Sequence, residues 1–287
     1  MANALYKIIN KRPLHSTVTW MELSAPRAAR RAKPGQFVIL RVDSAGERLP
    51  LTIAGADPVR GTVTVIYQKV GATTNKLDML DVGDALADVA GPLGEPSKLE
   101  GIGSAALIAG GLGIAIAYPI AKALKAQGSR VDGIVGFRNT DLIILKNEFE
   151  SFCDTFDILT DDGSNGRKGF VTDGLSARLE SGKTYDEVIA IGPLPMMKAV
   201  CALTKKYNIK TTVSMNSIMI DGTGMCGCCR LTVGGETKFA CVDGPDFDGH
   251  LVDFDEAIRR GRYYREQEQE SMARLCRLTG EARACRI

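Results

Sequence analysis

The sequence predicts a β plus α/β protein: a small antiparallel β-barrel, a parallel-sheet domain with helices, and a C-terminal cysteine-rich module with a helical tail. Three observations predict it. Residues 1–98 are a series of short β-rich runs separated by glycine and proline turns. Residues 99–210 alternate short apolar strands with helical stretches. Residues 211–250 are rich in glycine and hold four of the eight cysteines, ahead of a tail, 251–287, dense in Arg, Glu and Gln.

In the first zone, residues 36–42 and 62–67 are β-rich runs bounded by Pro34-Gly35, Gly46 and Gly61. Several such strands with turns between them suit a barrel. The segment Arg48-Leu49-Pro50-Leu51-Thr52 sets a cation and a hydroxyl four residues apart, on one face of an extended chain. Arg48 can contact a pyrophosphate through both arms of its fork, and Thr52 can reach a ring nitrogen. An ordinary strand with an exposed arginine has the same pattern. Residues 70–74, with Gly71, Thr73 and Thr74, and residues 91–94 read as turns able to approach a phosphate.

In the second zone, residues 105–109 form a buried strand, a glycine turn follows, and a helix runs through Ala126. Further strands fall at 131–137, 156–160 and 188–191, with a helix at 196–207. This alternation predicts a parallel sheet covered by helices on both faces. Gly110, Gly111 and Gly113 stand between a strand and a helix, where free N–H groups and the helix dipole favour an anion. The run is not the G-x-G-x-x-G fingerprint, and a tight turn alone would also explain it. A second turn, Gly192-Pro193-Leu194-Pro195, lies at another strand end. Two turns at the carboxyl ends of one sheet's strands converge on one crevice, which points to a nucleotide. Arg138, just past the second strand, can meet an adenosine phosphate or a surface acid.

Cys226, Cys228 and Cys229 stand together, with Cys241 a little further on. A [2Fe–2S] cluster is often held by C-x4-C-x2-C and one distant cysteine. Cys226 and Cys229 supply the C-x2-C and Cys241 the distant thiolate. Asp221 occupies the position of the first cysteine, and a carboxylate, being anionic and compact, can still ligate iron. The glycines let the backbone wrap closely and point N–H groups at inorganic sulfide. Two other readings remain open: structural zinc on the three thiolates plus Asp221 or Cys228, and buried free cysteines. The spacing favours iron–sulfur. The isolated Cys153, Cys201, Cys276 and Cys285 read as packing or surface residues.

Composition excludes other classes. A net charge of +2 argues against a nucleic-acid binder. No apolar run approaches the roughly 20 residues that span a bilayer, since residues 105–121 are broken by Gly110, Gly111, Gly113 and Pro119. The first thirteen residues contain no apolar signal core. A cytoplasmic protein without membrane association is expected.

Read in order, these motifs resemble the ferredoxin–NADP reductase-like superfamily. They are most similar to its branch of electron-transfer subunits, which serve dihydroorotate dehydrogenase, ferredoxin:NADP oxidoreductase and sulfide dehydrogenase. The resemblance covers residues 1–260. It implies that Arg48, Pro50, Leu51 and Thr52 match an R-x-P-x-[ST] motif for FAD, with Arg48 on the pyrophosphate and Thr52 near the flavin N5. Gly71, Thr73 and Thr74 resemble the second FAD turn, with Thr73 in place of a glycine. Gly110, Gly111 and Gly113 resemble the pyrophosphate turn for NAD(H), NADP(H) being possible. Gly192, Pro193 and Pro195 resemble the motif beside the nicotinamide. Asp161 and Asp162 fall in a segment expected to line that cleft. The ligands implied for the [2Fe–2S] cluster are Asp221, Cys226, Cys229 and Cys241. Aspartate at 221, where dihydroorotate-side relatives carry cysteine, favours the ferredoxin:NADP or sulfide dehydrogenase branch.

The resemblance further implies hydride transfer from NADH to FAD, then single-electron steps through the cluster into a larger subunit carrying a second flavin and [4Fe–4S] clusters, with ferredoxin served through that complex by bifurcation. A sulfide or polysulfide role is the alternative within the branch. A zinc-stabilised nucleotide-binding protein without turnover is the alternative outside it. Tyr263 and Tyr264 in the tail are candidate partner contacts, although a solvated helix explains them equally well.

Overall fold

The computed structural model describes residues 6–279. Six strands form the antiparallel barrel: β1 (Ile8–His15), β2 (Val18–Ser24), β3 (Phe37–Arg41), β4 (Arg48–Asp57), β5 (Thr62–Gln68) and β6 (Asp88–Leu93). They pair in the order β1-β2-β5-β4-β3-β6. The Leu86 N–H donates to the Tyr6 carbonyl at 2.9 Å and the Gly83 N–H to that of Ile8 at 2.9 Å, closing the sheet on itself. Closure removes the exposed edges an open sheet would present. Inward residues such as Met21, Leu23, Val38, Leu40, Val63 and Val65 are fully buried and fill the interior. Helices α1 (Pro26–Ala29) and α2 (Ala72–Asp78) pack on it, with Ala28, Ala29 and Leu77 buried in its core. The turn expected at 70–74 continues into α2, and the one expected at 91–94 is largely absorbed into β6.

The second sheet contains β7 (Ser104–Gly110), β8 (Arg130–Phe137), β9 (Thr155–Thr160), β10 (Glu187–Ile191) and β11 (Thr211–Ser214), all parallel. Helices α3 (Gly113–Ala126), α4 (Lys146–Glu150), α5 (Val171–Glu180) and α6 (Leu194–Lys206) connect them. β7 is buried along nearly its whole length, as expected of a central strand covered on both faces.

β11 begins one residue past the boundary drawn at 210. Its Thr-Thr-Val-Ser sequence is too short and polar to be recognised as a sheet strand, yet it pairs in parallel with β10. β14 (Asp246–Asp248) then adds antiparallel to β11, giving the order β14-β11-β10-β7-β8-β9. Between them lie the cysteine loop and a hairpin, β12 (Arg230–Val233) with β13 (Glu236–Phe239). The cysteine-rich segment is therefore stitched to the parallel sheet at both ends. The tail forms α7 (Phe254–Arg260) and α8 (Arg265–Thr279). Among the described residues no helix is long and apolar enough to cross a membrane.

One buried charge ties this domain together. Asp132 in β8 has no exposed surface and meets Arg178 of α5 at 2.9 Å and Lys183 at 3.0 Å, while the Tyr185 hydroxyl donates to it at 2.8 Å. Burial pushes its carboxyl up, but the hydrogen bonds and the Arg178 guanidinium outweigh burial and hold it at about 2. Because the folded value lies below the ordinary one, the contribution is present above about pH 4 and is lost as pH falls toward 2. Asp132→Asn is expected to lower unfolding free energy by about 3 kcal/mol at neutral pH, because Lys183 loses its carboxylate and the buried Arg178 is left with Asp157 alone. Urea denaturation reads this loss. The gap between wild type and variant should narrow on acidification; a gap that does not change with pH would contradict the assignment.

Candidate flavin, nucleotide and iron–sulfur site

On the barrel side, residues 48–52 of β4 pair with β3 alone, since pairing with β5 begins only at Ile53. Pro50, which has no N–H to donate, sits on this half-open stretch, where it breaks no ladder bond on the free side. The free edge borders a cleft of about 1210 Å³, whose walls include Arg48, Pro50, Gly71, Thr73 and Thr74. Leu51 and Thr52 lie further along the same strand, with Thr52 opposite Phe37.

The side chains around this cleft already have tasks. The Arg48 Nε donates to the Ile220 carbonyl at 2.8 Å and one terminal nitrogen reaches that of Asp221 at 3.4 Å. Arg48 thus ties β4 to the cysteine loop. The Thr74 hydroxyl accepts from the Val70 and Gly71 N–H groups at 3.1 Å and so holds the start of α2. The Thr73 hydroxyl donates to Glu47.

On the nucleotide side the two turns meet, because β7 and β10 are neighbours with Ala109 beside Ile191. A Cβ on Gly113 would stand 2.2 Å from the Ile191 carbonyl oxygen. One on Gly192 would stand 3.1 Å from the Gly110 nitrogen. Close packing of the turns on each other therefore accounts for these glycines. Gly111 differs: its φ is +53° and a Cβ there would meet nothing within 4 Å, so it borders open space. Neither α3 nor α6, where Pro193 and Pro195 shape the entry, has a side-chain cap or an acid in its first turn. Two uncapped helix starts on one crevice fit a pyrophosphate. The Arg138 side chain is exposed and, among the described residues, has no ion pair or hydrogen bond.

Asp161 and Asp162 follow β9, at the sheet edge two strands from β7. The Asp162 carboxylate accepts from the Ser164 N–H at 2.9 Å, which organises its own loop. The structure does not bring this pair to the crevice between β7 and β10.

The cysteine loop is pressed against the barrel. Gly222, at φ +77°, lies so close to Ile39 and Leu93 that a Cβ would stand 2.6 Å and 2.8 Å from their methyls. Asp221 accepts from the Thr223 and Cys226 N–H groups, both at 2.8 Å, and the Thr223 contact foremost holds its carboxyl below the usual range. Cys226 is exposed, Cys228 half-buried, and Cys229 and Cys241 buried. The Cys241 N–H donates to the Cys229 sulfur at 3.4 Å.

The N–H groups of Met225, Gly227, Cys228 and Cys229 make no hydrogen bond within the described residues. A run of free amides beside thiols and a carboxylate fits an anionic sulfide-bridged cluster. Among the described residues, no three His, Cys, Asp or Glu side chains converge as ligands of a single ion would. A two-iron cluster divides its ligands between two metals. Burial pushes the Cys153 and Cys201 thiols up to about 12, consistent with packing roles. Cys276 lies in α8, and Cys285 lies outside the described residues.

Residues 216–253, which contain this loop, match the iron–sulfur cluster binding domain of dihydroorotate dehydrogenase B, and residues 107–202 match the oxidoreductase NAD-binding domain. The electron transfer subunit homolog of dihydroorotate dehydrogenase B (NAD(+)) from Thermotoga maritima is 43% identical, over 97% of this chain and 98% of that protein. The chain belongs to the dihydroorotate dehydrogenase B electron-transfer subunit family. Within that family, the Geobacillus thermodenitrificans electron transfer subunit is 34% identical over 84% of this chain and 94% of its own. A solved structure of NADH-dependent reduced ferredoxin–NADP oxidoreductase, reported for flavin-based electron bifurcation, is 42% identical with a TM-score of 0.90. That match covers 96% of this chain and 99% of the solved one, so it takes in the barrel, the α/β domain and the cysteine module together. Phthalate dioxygenase reductase, 20% identical with a TM-score of 0.59 over 85% of this chain and 76% of that one, shares the fold. The family and these matches make the chain an oxidoreductase electron-transfer subunit with NAD, FAD and iron–sulfur binding.

Sequence reasoning missed residues 217–220 and the start of α8, which also line the cleft beside β4. The pair Tyr263-Tyr264 was the available signal, but nothing local in the sequence says that the tail folds back over the barrel.

Proposed function

We propose that this chain is the NADH-oxidising subunit of a bifurcating NADH-dependent ferredoxin:NADP oxidoreductase, with a larger partner chain that carries a second flavin and [4Fe–4S] clusters. The observation that carries the reading is Asp221. It stands in the cluster loop in place of a cysteine, in a chain 42% identical to such an oxidoreductase over 96% of its length. The single cysteine-rich loop here leaves further clusters to another chain.

Once bound, the cofactors would supply the chemistry, hydride acceptance at the flavin and single-electron transfer at the iron–sulfur cluster. The chain's own residues bind and orient. The uncapped starts of α3 and α6, with Gly110, Gly111, Gly113, Gly192, Pro193 and Pro195, take the nicotinamide nucleotide. The open edge of β4, from Arg48 through Pro50 and Leu51 to Thr52, and the turn with Gly71, Thr73 and Thr74 take FAD. Asp221, Cys226, Cys229 and Cys241 take the cluster. Arg48 fixes the spacing between the last two sites through the Ile220 carbonyl.

Anaerobic titration of the flavin- and iron-replete complex tests this. NADH is expected to bleach the flavin and then raise the cluster's EPR signal, and NADPH to act more weakly. A fully flavinated sample that stays oxidised under excess NADH would overturn the reading. Polysulfide added to the complex is expected to leave NADH oxidation unchanged.

A further inference from the structure

The flavin cleft has a wall beyond the barrel and the cysteine loop. α8 runs along it, and Tyr264, Arg265, Glu268 and Ser271 face the cleft opposite Arg48 and Gly71. The helix is anchored by its second half. Leu275 is buried, and the Asn75 amide of α2 donates to the Met272 sulfur at 3.9 Å. Its first half has no such support: residues 261–270 are exposed throughout.

The side chains there are also unspent. Among the described residues, neither Arg265 nor Glu268 has an ion pair or a side-chain hydrogen bond, although they lie one turn apart. A cation and a carboxylate on one turn suit a ligand that offers both an anion and hydroxyls. A flavin dinucleotide offers a pyrophosphate and a polyol. The cleft volume of about 1210 Å³ is also above the roughly 300–1,000 Å³ usual for small ligands, as a dinucleotide requires. Arg48, the other arginine of the cleft, is turned to the carbonyls of Ile220 and Asp221, so the opposite wall has work left for a second cation.

We propose that α8 is part of the flavin site, with Arg265 meeting the dinucleotide pyrophosphate and Glu268 its hydroxyls, so that flavin retention depends on the tail. This rests on the reading of the cleft as the FAD site. Arg274 lies on the same helix, carries the same charge and stays outside the cleft, which makes it the control.

The test is titration of FAD into the full-length apoprotein, followed by quenching of flavin fluorescence. Arg265→Ala is expected to weaken binding about tenfold, the loss of one charge-assisted hydrogen bond. Glu268→Ala should weaken it less, and Arg274→Ala should stay within about twofold. Limited trypsin digestion is the second readout: FAD should slow cleavage at Arg262 and Arg265 in the wild type. Equal affinities for the Arg265 and Arg274 variants, with a tail cut equally fast with and without FAD, would overturn the proposal while leaving the flavin site standing. Wild-type apoprotein that binds no FAD would overturn both.

Discussion

Gly113→Ala is expected to remove most nicotinamide-nucleotide binding and to destabilise the fold at once. The new Cβ would stand 2.2 Å from the Ile191 carbonyl oxygen and 2.8 Å from its carbon. These are backbone atoms of the central strand β10, held in register by β7 and β11, and they cannot rotate aside as a side chain would. Relief requires α3 to move off the sheet. Overpacking of this kind costs about 1–3 kcal/mol, and a clash with backbone belongs at the upper end. The same movement opens the crevice between the starts of α3 and α6, so NADH affinity should fall tenfold or more. Gly111→Ala separates the two effects. Its Cβ meets no protein atom, so its stability cost is the left-handed backbone alone, about 1–2 kcal/mol. That Cβ points into the open space beside the turn proposed to take the nucleotide, so binding should still suffer. Urea midpoints and NADH titrations on the two variants check this. A Gly111 variant with unchanged NADH affinity would mean the nucleotide does not use this turn.

The regular elements were legible because their signals are local. Central strands such as β7 and β10 are unbroken apolar runs, and α3 and α6 follow glycine or proline turns at the lengths expected. What escaped the sequence is what depends on distant segments meeting. β11 and β14 are short and polar, and only their pairing makes them part of the parallel sheet. Nothing local announces that Arg48 also ties β4 to carbonyls about 170 residues away. The Thr74 hydroxyl likewise holds the start of its own helix, a task its place in a turn does not announce. The family resemblance places Asp161 and Asp162 in the cleft, whereas the strand order sets β9, which they follow, at the sheet's edge. The cysteine loop was the reverse case. Its ligand candidates lie close in sequence, so their spacing carried the chemistry before any fold was known.

Cys229→Ser is expected to abolish the cluster, with bound iron falling from about two atoms per chain to near zero. Cys229 is buried, its sulfur accepts from the Cys241 N–H, and its own N–H, like those of Gly227 and Cys228, makes no hydrogen bond among the described residues. Serine preserves the shape but offers a hydroxyl, a far poorer iron ligand than thiolate. Cys228→Ser is the matched control: Cys228 is half-buried between the two ligand candidates Cys226 and Cys229, and its replacement should leave iron unchanged. The NADH-dependent bleaching of FAD should survive in both variants, since the flavin precedes the cluster, while electron delivery to the partner should stop only in the first. Asp221 distinguishes a ligand from a loop brace. Its carboxylate organises the Thr223 and Cys226 amides, so Asp221→Asn, which keeps a carbonyl oxygen for one of those bonds, should retain the loop but lose iron. Asp221→Cys should retain iron, because a thiolate restores the usual four-cysteine set, and should shift the EPR spectrum. Iron content and EPR on the four purified variants decide the matter. Full iron in Asp221→Asn with an unchanged spectrum would remove Asp221 from the ligand set, and with it the main argument for the ferredoxin:NADP branch.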